Sequence, residues 1–184
     1  HFGNDPSTAI RLQIEAARGR LTAFAKIQAA MAAEGWVIKA VEGELPKDDS
    51  LGIEIKGSFD RLDFNTRTGE WRVYDYKTFN HAKNPVGTHT ATGVDGAPFT
   101  AQVRKRNRKG EDTGEMKFIR WKDLQLPVYH RSLKLGWTGI GKDDIVHVGY
   151  LCLPSKVSDT GVKAWEHYHA DFLQTAETQI AQVV

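Results

Sequence analysis

The chain has 184 residues, of which 40% are hydrophobic and 26% are charged, and its formal net charge is +2 at pH 7. This length and composition are typical of one globular domain with a sizeable core. The small net charge neither requires nor excludes a polyanionic partner. Cys152 is the only cysteine, which excludes an internal disulfide, a cysteine-rich zinc site and an all-cysteine iron–sulfur cluster within the chain.

Targeting signals are also missing from the sequence. No run of about 18 apolar residues could span a bilayer, and the N-terminus lacks the basic and apolar regions of a secretory signal. We therefore expect a cytoplasmic protein without a membrane partner. Because the first residue is His1 rather than Met, we expect residues 1–184 to form a single domain of a longer protein.

The first half of the chain predicts a long helix and three strands. Apolar residues recur at three- and four-residue steps from Ile10 to Met31, as on an amphipathic helix, and Gly35 ends this pattern. Alternating apolar residues then predict strands, the last two joined by a tight turn. The predicted bounds are 7–34 for the helix and 36–45, 51–64 and 71–74 for the strands.

The second half begins with a segment that is hard to interpret. Residues 80–117 are rich in Gly, Thr, Asn and charge without sustained periodicity, which predicts a long loop or a protruding hairpin. Asp123 is placed to cap a helix over 124–135. A mostly buried strand over 144–153 and a closing helix over 165–184 follow. The fold class is therefore α/β, a central mixed sheet flanked by helices in the order αβββαβα.

Two carboxylates and an ammonium are predicted at the ends of neighbouring strands. Asp60 lies on one strand, and Asp75 and Lys77 lie on the next, two residues apart and so on one face of the sheet. Phosphodiester hydrolysis needs an activated water and a cation that neutralises the charge gained by the phosphorus centre, and Mg²⁺ held by hard oxygen ligands supplies both. The two aspartates could supply those ligands, and Lys77 could hold or polarise the water.

Three motifs, in this order and spacing, resemble those of RecB and AddB nuclease domains in the PD-(D/E)xK superfamily. They are Gly-x-x-Asp-Arg-x-Asp at 57–63, Asp-Tyr-Lys-Thr at 75–78 and Gln-Leu-Pro-Val-Tyr at 125–129. The resemblance covers roughly 36–153 and implies a restriction-endonuclease-like fold. It also implies that Asp60, Asp75 and the backbone carbonyl of Tyr76 bind Mg²⁺, for which Mn²⁺ can substitute. Gln125 and Tyr129 would orient a phosphate or support the catalytic strand.

Two features depart from the family pattern. RecB-like domains commonly carry a metal-binding histidine on a helix before the first strand, and this chain has no histidine between His1 and His81. Either His1 is the end of that motif, or Glu15 replaces it, or the ligand lies upstream, which the loop-like residues after His1 favour. The AddB relatives with an iron–sulfur cluster use four cysteines, so we expect no cluster here.

Basic residues near the predicted hairpin are candidates for DNA contacts. The densest run comprises Arg104, Lys105, Arg106, Arg108 and Lys109. Such a run could neutralise backbone phosphates, although a solvated hairpin tip explains it equally well. Arg61 and Thr78, which adjoin the catalytic motifs, are also expected to contact DNA.

The resemblance implies a Mg²⁺-dependent deoxyribonuclease, with exonuclease action in DNA repair or recombination and a helicase domain or subunit as partner. Two alternatives stay open. One is a DNA-binding or scaffolding module that keeps the fold without catalysis, which the missing histidine favours. The other is a stand-alone endonuclease of the same superfamily.

Overall fold

The computed structural model describes residues 7–48, 50, 55–166, 168 and 170–182. The chain begins with α1 (Thr8–Ala33), β1 (Trp36–Glu44), β2 (Ser58–Asn65) and β3 (Trp71–Lys77). A middle segment follows with α2 (Pro85–His89), β4 (Thr90–Thr92), β5 (Thr100–Arg106) and β6 (Asp112–Trp121). The last part contains α3 (Gln125–Gly136), β7 (Val146–Cys152), a 3-10 turn (Val157–Asp159), β8 (Gly161–Ala164) and α4 (Ala170–Gln182).

Five strands form the central sheet in the order β1-β2-β3-β7-β8. β3 and β7 are parallel, whereas the other neighbouring pairs are antiparallel, so the sheet is mixed. On one face, Leu126 and Leu133 of α3 are fully buried in a core shared with Val73 of β3. On the other face, Met31 of α1 packs in a cluster with Tyr74 of β3. The predicted α/β class, a mixed sheet flanked by helices, is therefore confirmed.

The segment 80–117 contains more regular structure than its composition indicated. It holds α2, β4, β5 and part of β6, and the three strands pair in the order β4-β6-β5 as a second sheet. Val103 is the only buried residue on β5, and most of β6 is exposed. Because few of these side chains enter a core, the apolar alternation that reveals a strand is weak here.

The structure corrects two predicted element boundaries and adds one strand that was not predicted. The strand predicted over 51–64 begins at Ser58, and residues 51–54 lie outside the described part of the chain. The closing helix begins at Ala170 instead of residue 165, because the Trp165 amide donates to the Val148 carbonyl oxygen at 2.8 Å and so continues the edge of the sheet. β8 was not predicted, since four residues are too few to show a pattern.

A buried ion cluster joins β2 to β3 on the α1 face. Arg61 donates to both carboxylate oxygens of Asp63, at 2.7 and 2.9 Å, and Nη2 of Arg72 lies 2.9 Å from Asp63 Oδ2. The remaining terminal nitrogen of Arg61 donates to Gln28 Oε1 on α1 at 2.6 Å. A buried charge without its partner costs several kcal/mol, so a shifted strand register would be strongly disfavoured.

None of the helices in the described ranges combines the length and apolar character needed to cross a bilayer.

The pH dependence of folding should report the burial of His130. Burial, together with the charge of Lys134, lowers the pKa of His130 on α3 from 6.5 to about 4. Below pH 6.5 the unfolded chain therefore binds a proton that the folded protein does not bind. We expect the free energy of unfolding to decrease as pH falls from 6.5 to about 4, by up to about 1.4 kcal/mol per pH unit. Urea titrations across this range, with His130→Phe as the comparison, measure the effect; identical pH profiles would contradict it.

Candidate active site

Asp60 and Asp75 face each other where β2 and β3 separate. The ladder ends with Arg61 opposite Tyr74, and Asp60 and Asp75 are the next residues of the two strands. Asp60 Oδ2 accepts a hydrogen bond from the Tyr76 amide at 2.6 Å, which holds the two strand ends together. Arg61 and Tyr74 face α1, and successive residues of a strand point to opposite faces of the sheet. Both carboxylates therefore project toward α3.

Lys77 lies between the carboxylates and α3. Its ammonium is 2.6 Å from Asp75 Oδ2 and donates to Gln125 Oε1 at 3.3 Å. Gln125 Nε2 in turn donates to the Tyr129 hydroxyl at 3.0 Å. The four-residue spacing places Gln125 and Tyr129 on one face of the helix, so the first turns of α3 support the lysine from the side opposite to the sheet.

Electrostatic interactions in the site favour a cation. Burial raises the pKa of Asp75, and the negative charges of Asp60 and Asp123 add to this effect, while the hydrogen bond from Lys77 opposes it. Burial and the charge of Asp75 also raise the pKa of Tyr129 to about 12, so its hydroxyl stays protonated at neutral pH. Carboxylates that are close together and shielded from water repel each other unless positive charge is added.

The donor atoms at this point suit a hard divalent cation. Mg²⁺ is commonly held by one or two carboxylates while it keeps several waters, and Asp60 and Asp75 provide two carboxylates on one face. Within the described ranges no group of three or more His, Cys, Asp or Glu side chains is arranged to hold a metal ion. Glu15 does not join them, since it is exposed on α1 and pairs with Arg18 at 2.5 Å. His1 lies outside the described residues.

A buried histidine beside the site was missed in the sequence. His89, at the end of α2, is 0% exposed; its Nδ1 lies 2.9 Å from the Asp123 carbonyl oxygen and its Nε2 lies 2.7 Å from the Tyr150 hydroxyl. The Tyr150 ring centroid is 5.0 Å from the Lys77 ammonium. His89 thus connects the middle segment to β7, the strand whose Tyr150 lies beside Lys77. It sits in a segment without periodicity, so no pattern could have revealed it.

Asp123 was predicted only as a helix cap, and the structure makes it a third carboxylate near Lys77. Its Oδ1 accepts from the Gln125 amide at 2.7 Å. The hydrogen bond with His89, followed by weaker contributions that include the charge of Lys77, lowers the pKa of Asp123 to about 2. The sequence did offer a signal for this position of Asp123. Asp123 is two residues before Gln125, so it lies close to the groups that Gln125 contacts.

Of the two predicted DNA-contacting residues within the motifs, Arg61 is buried and Thr78 is exposed. Arg61 is 1% exposed and its guanidinium is directed at Asp63 and Gln28, so the expected DNA contact is replaced by a structural role inside the sheet. Thr78 is exposed immediately after Lys77. Its exposure leaves the predicted DNA contact open as a prediction.

The five basic residues of the predicted run lie on the β5–β6 hairpin. Arg104 pairs with Asp112 at 2.8 Å, and Lys105 pairs with Glu115 at 2.6 Å. Arg106 donates to a backbone carbonyl within the turn at 2.9 Å, whereas Arg108 and Lys109 are exposed at the tip. Since β6 has 10 residues and a strand rises about 3.4 Å per residue, the tip is roughly 30 Å along the hairpin from the end that leads into α3. Two of the five cations, Arg104 and Lys105, are thus paired with carboxylates, and Arg108 and Lys109 lie at the tip, away from the site.

A mixed sheet that presents two aspartates and a lysine from adjoining strand ends is typical of nucleases. Consistent with this, the sequence model of the PD-(D/E)XK nuclease superfamily matches residues 3–184. The chain therefore belongs to the PD-(D/E)XK nuclease superfamily, whose members generally use divalent metals such as Mg²⁺. Neither the search of curated proteins nor the search of solved structures found a match.

The hydroxyl of Tyr129 should matter for turnover more than for folding. Tyr129→Phe removes the acceptor that positions Gln125, and one neutral hydrogen bond contributes about 1 kcal/mol. We therefore expect kcat on labelled DNA to fall about fivefold with little change in KM. Tyr168→Phe is the matched control, because the Tyr168 hydroxyl is buried without a hydrogen-bond partner among the described residues. Equal activity of the two variants would show that the Gln125 contact does not support the lysine.

Proposed function

We propose that this nuclease is a RecB-like, Mg²⁺-dependent deoxyribonuclease that hydrolyses DNA phosphodiester bonds. The observation that carries the proposal is the convergence of Asp60, Asp75 and Lys77 on one face of the sheet. The support of Lys77 by Gln125 on α3 adds to it. The order of the three sequence motifs, shared with RecB-like domains, favours this branch of the superfamily.

Asp60, Asp75 and the backbone carbonyl of Tyr76 would hold the metal ion. When bound, Mg²⁺ lowers the pKa of a coordinated water and neutralises charge on the phosphate. Burial raises the pKa of the Asp75 carboxyl, Lys77 opposes this shift, and the charges of Asp60 and Asp123 add to it; a bound divalent cation would favour the ionised carboxylates. Asp60 is already held by the Tyr76 amide, so its orientation is fixed before a ligand arrives.

Lys77 is placed to act on the attacking water or on a non-bridging phosphate oxygen. Contacts with Asp75 and Gln125 restrict the long side chain, which reduces the entropy lost when it meets a substrate. In hydrolysis, an oxygen–phosphorus bond forms from water while the bond to the leaving sugar oxygen breaks, and the water loses a proton. A fixed ammonium stabilises the charge that develops on the phosphate during this exchange.

We further propose exonuclease action in DNA repair or recombination, with a helicase domain or subunit as partner. This part rests on the family resemblance of the motifs alone. A stand-alone endonuclease is the competing function within the same superfamily. Covalently closed circular DNA separates the two, because an exonuclease requires an end and leaves the circle intact.

A module that binds DNA without cleaving it is distinguished by metal binding. We expect calorimetric titration with Mn²⁺ to show binding in the micromolar range that Asp75→Ala abolishes, because this variant removes one of the two carboxylates. Asp112→Ala on the hairpin is the control and should bind like the wild type. Absence of Mn²⁺ binding by the wild-type protein would favour the inactive module.

Lys77→Ala should separate DNA binding from cleavage. We expect the variant to retain DNA affinity while cleavage of linear DNA falls about 10² to 10⁴-fold, the usual size of an acid–base or electrostatic contribution. Lys105→Ala, which removes a paired lysine of the hairpin, should cleave at the wild-type rate. Full activity of Lys77→Ala would refute the role of this residue.

A further inference from the structure

A polar cleft of about 390 Å³ opens between the loop that follows β3 and the β7–β8 edge of the central sheet. Its lining is rich in nitrogen donors and contains one carboxylate, that of Asp159. The donors are His81, Lys83, Asn84 and Lys163. No part of the catalytic arrangement described above uses these residues.

The cleft is close to the reaction centre and on the same face of the sheet. Asp75 pairs with Tyr150 on β7, and Tyr150 pairs with Lys163 on β8, so these three residues form one row across the strands. Neighbouring strands are about 4.8 Å apart, which puts the β8 backbone about 10 Å from that of β3. Tyr150 is fully buried and hydrogen-bonded to His89, whereas Lys163 is exposed, so Lys163 is the member of this row that a polymer bound at Lys77 can contact.

The loop that forms the other wall is attached to the same strands. Lys77 accepts a backbone hydrogen bond from Leu153 at 2.8 Å, and Ser155 donates to Asn80 at 3.2 Å. The ammonium of Lys83 lies 4.0 Å from the centroid of the Phe79 ring, which orders this side chain beside the cleft. The wall is thus fixed in place relative to the catalytic lysine.

The balance of charge in the cleft is positive. Asp159 pairs with Lys156, which does not line the cleft, at 3.1 Å and accepts from Ser158 at 3.2 Å. The positive charge of Lys163 also acts on Asp159, but Lys156 already offsets the charge of this carboxylate. Lys83 and Lys163 add two positive charges. On the hairpin, by contrast, Arg104 and Lys105 are paired with carboxylates.

We propose that this cleft binds the sugar-phosphate backbone of DNA next to the scissile phosphate, with Lys83 and Lys163 contacting phosphate oxygens. The inference rests on the proposed function, since it names the path of the substrate to the same reaction centre. Phosphate contacts of this kind position a strand without reading its sequence. The hairpin cations, in this view, contribute little to binding near the cut.

Salt-dependent binding tests the cleft separately from catalysis. The probe is a fluorescein-labelled oligothymidylate in EDTA, where binding is measured by fluorescence anisotropy without cleavage. We expect Lys83→Ala and Lys163→Ala each to weaken binding at low salt and to reduce the slope of log Kd against log salt by about 0.7, the value for one contact with a single strand. Lys163→Arg keeps the charge and should restore the wild-type slope.

Lys105→Ala serves as the matched control and should keep the wild-type slope, because that lysine is paired on the hairpin. Thermal unfolding of each variant verifies the fold. If wild-type protein binds and cleaves DNA while both cleft variants keep its slope, the cleft proposal is wrong and the proposed function stands. The cleft proposal is also wrong if Lys105→Ala reduces the slope as much as the cleft variants do. If the wild-type protein neither binds nor cleaves DNA, both the cleft proposal and the proposed function are wrong.

Discussion

The candidate active site depends on the buried ion cluster between β2 and β3. Asp63 holds Arg61 and Arg72 together beneath α1, in a region where an unpaired charge would be costly. Because this cluster disfavours other registers, with Arg61 opposite Tyr74, the Asp60 carboxylate is held beside β3 by the Tyr76 amide. A slip of one residue would turn the carboxylate of Asp60 or Asp75 to the α1 face. Asp63, the last residue of the first motif, thus acts on the strand register through Arg61 and Arg72, while Asp60 belongs to the candidate site.

The second layer of the site comes from α3 and the middle segment. Gln125 contacts Lys77, and Asp123 fixes the start of the helix through the Gln125 amide. His89 joins Asp123 to Tyr150, whose ring lies beside the lysine. The middle segment is therefore connected to the candidate site through His89, in addition to forming the exposed β5–β6 hairpin.

A high density of basic residues in the sequence does not imply a high positive potential in the folded protein, because nearby carboxylates can pair with those residues. The densest basic run in the sequence lies on β5 and its turn, where carboxylates of the same hairpin or of α4 neutralise Arg104. Lys83 and Lys163, which are 80 residues apart in the sequence, line one cleft near the candidate active site. A run of consecutive basic residues is conspicuous in a sequence. The electrostatic potential at a bound phosphate, however, is set by the unpaired cations that lie near it in the folded structure.

The sequence by itself determined the fold class, the long first helix, β1 and β3, and it predicted which residues make up the candidate site. These follow from local rules: helical periodicity over many turns, strand alternation, and the two-residue spacing of Asp75 and Lys77. Only the tertiary structure decided that Arg61 is buried, that His89 and Asp123 belong beside Lys77, and that the middle segment forms a second sheet. Each of these depends on contacts between residues far apart in the chain, which no local pattern encodes.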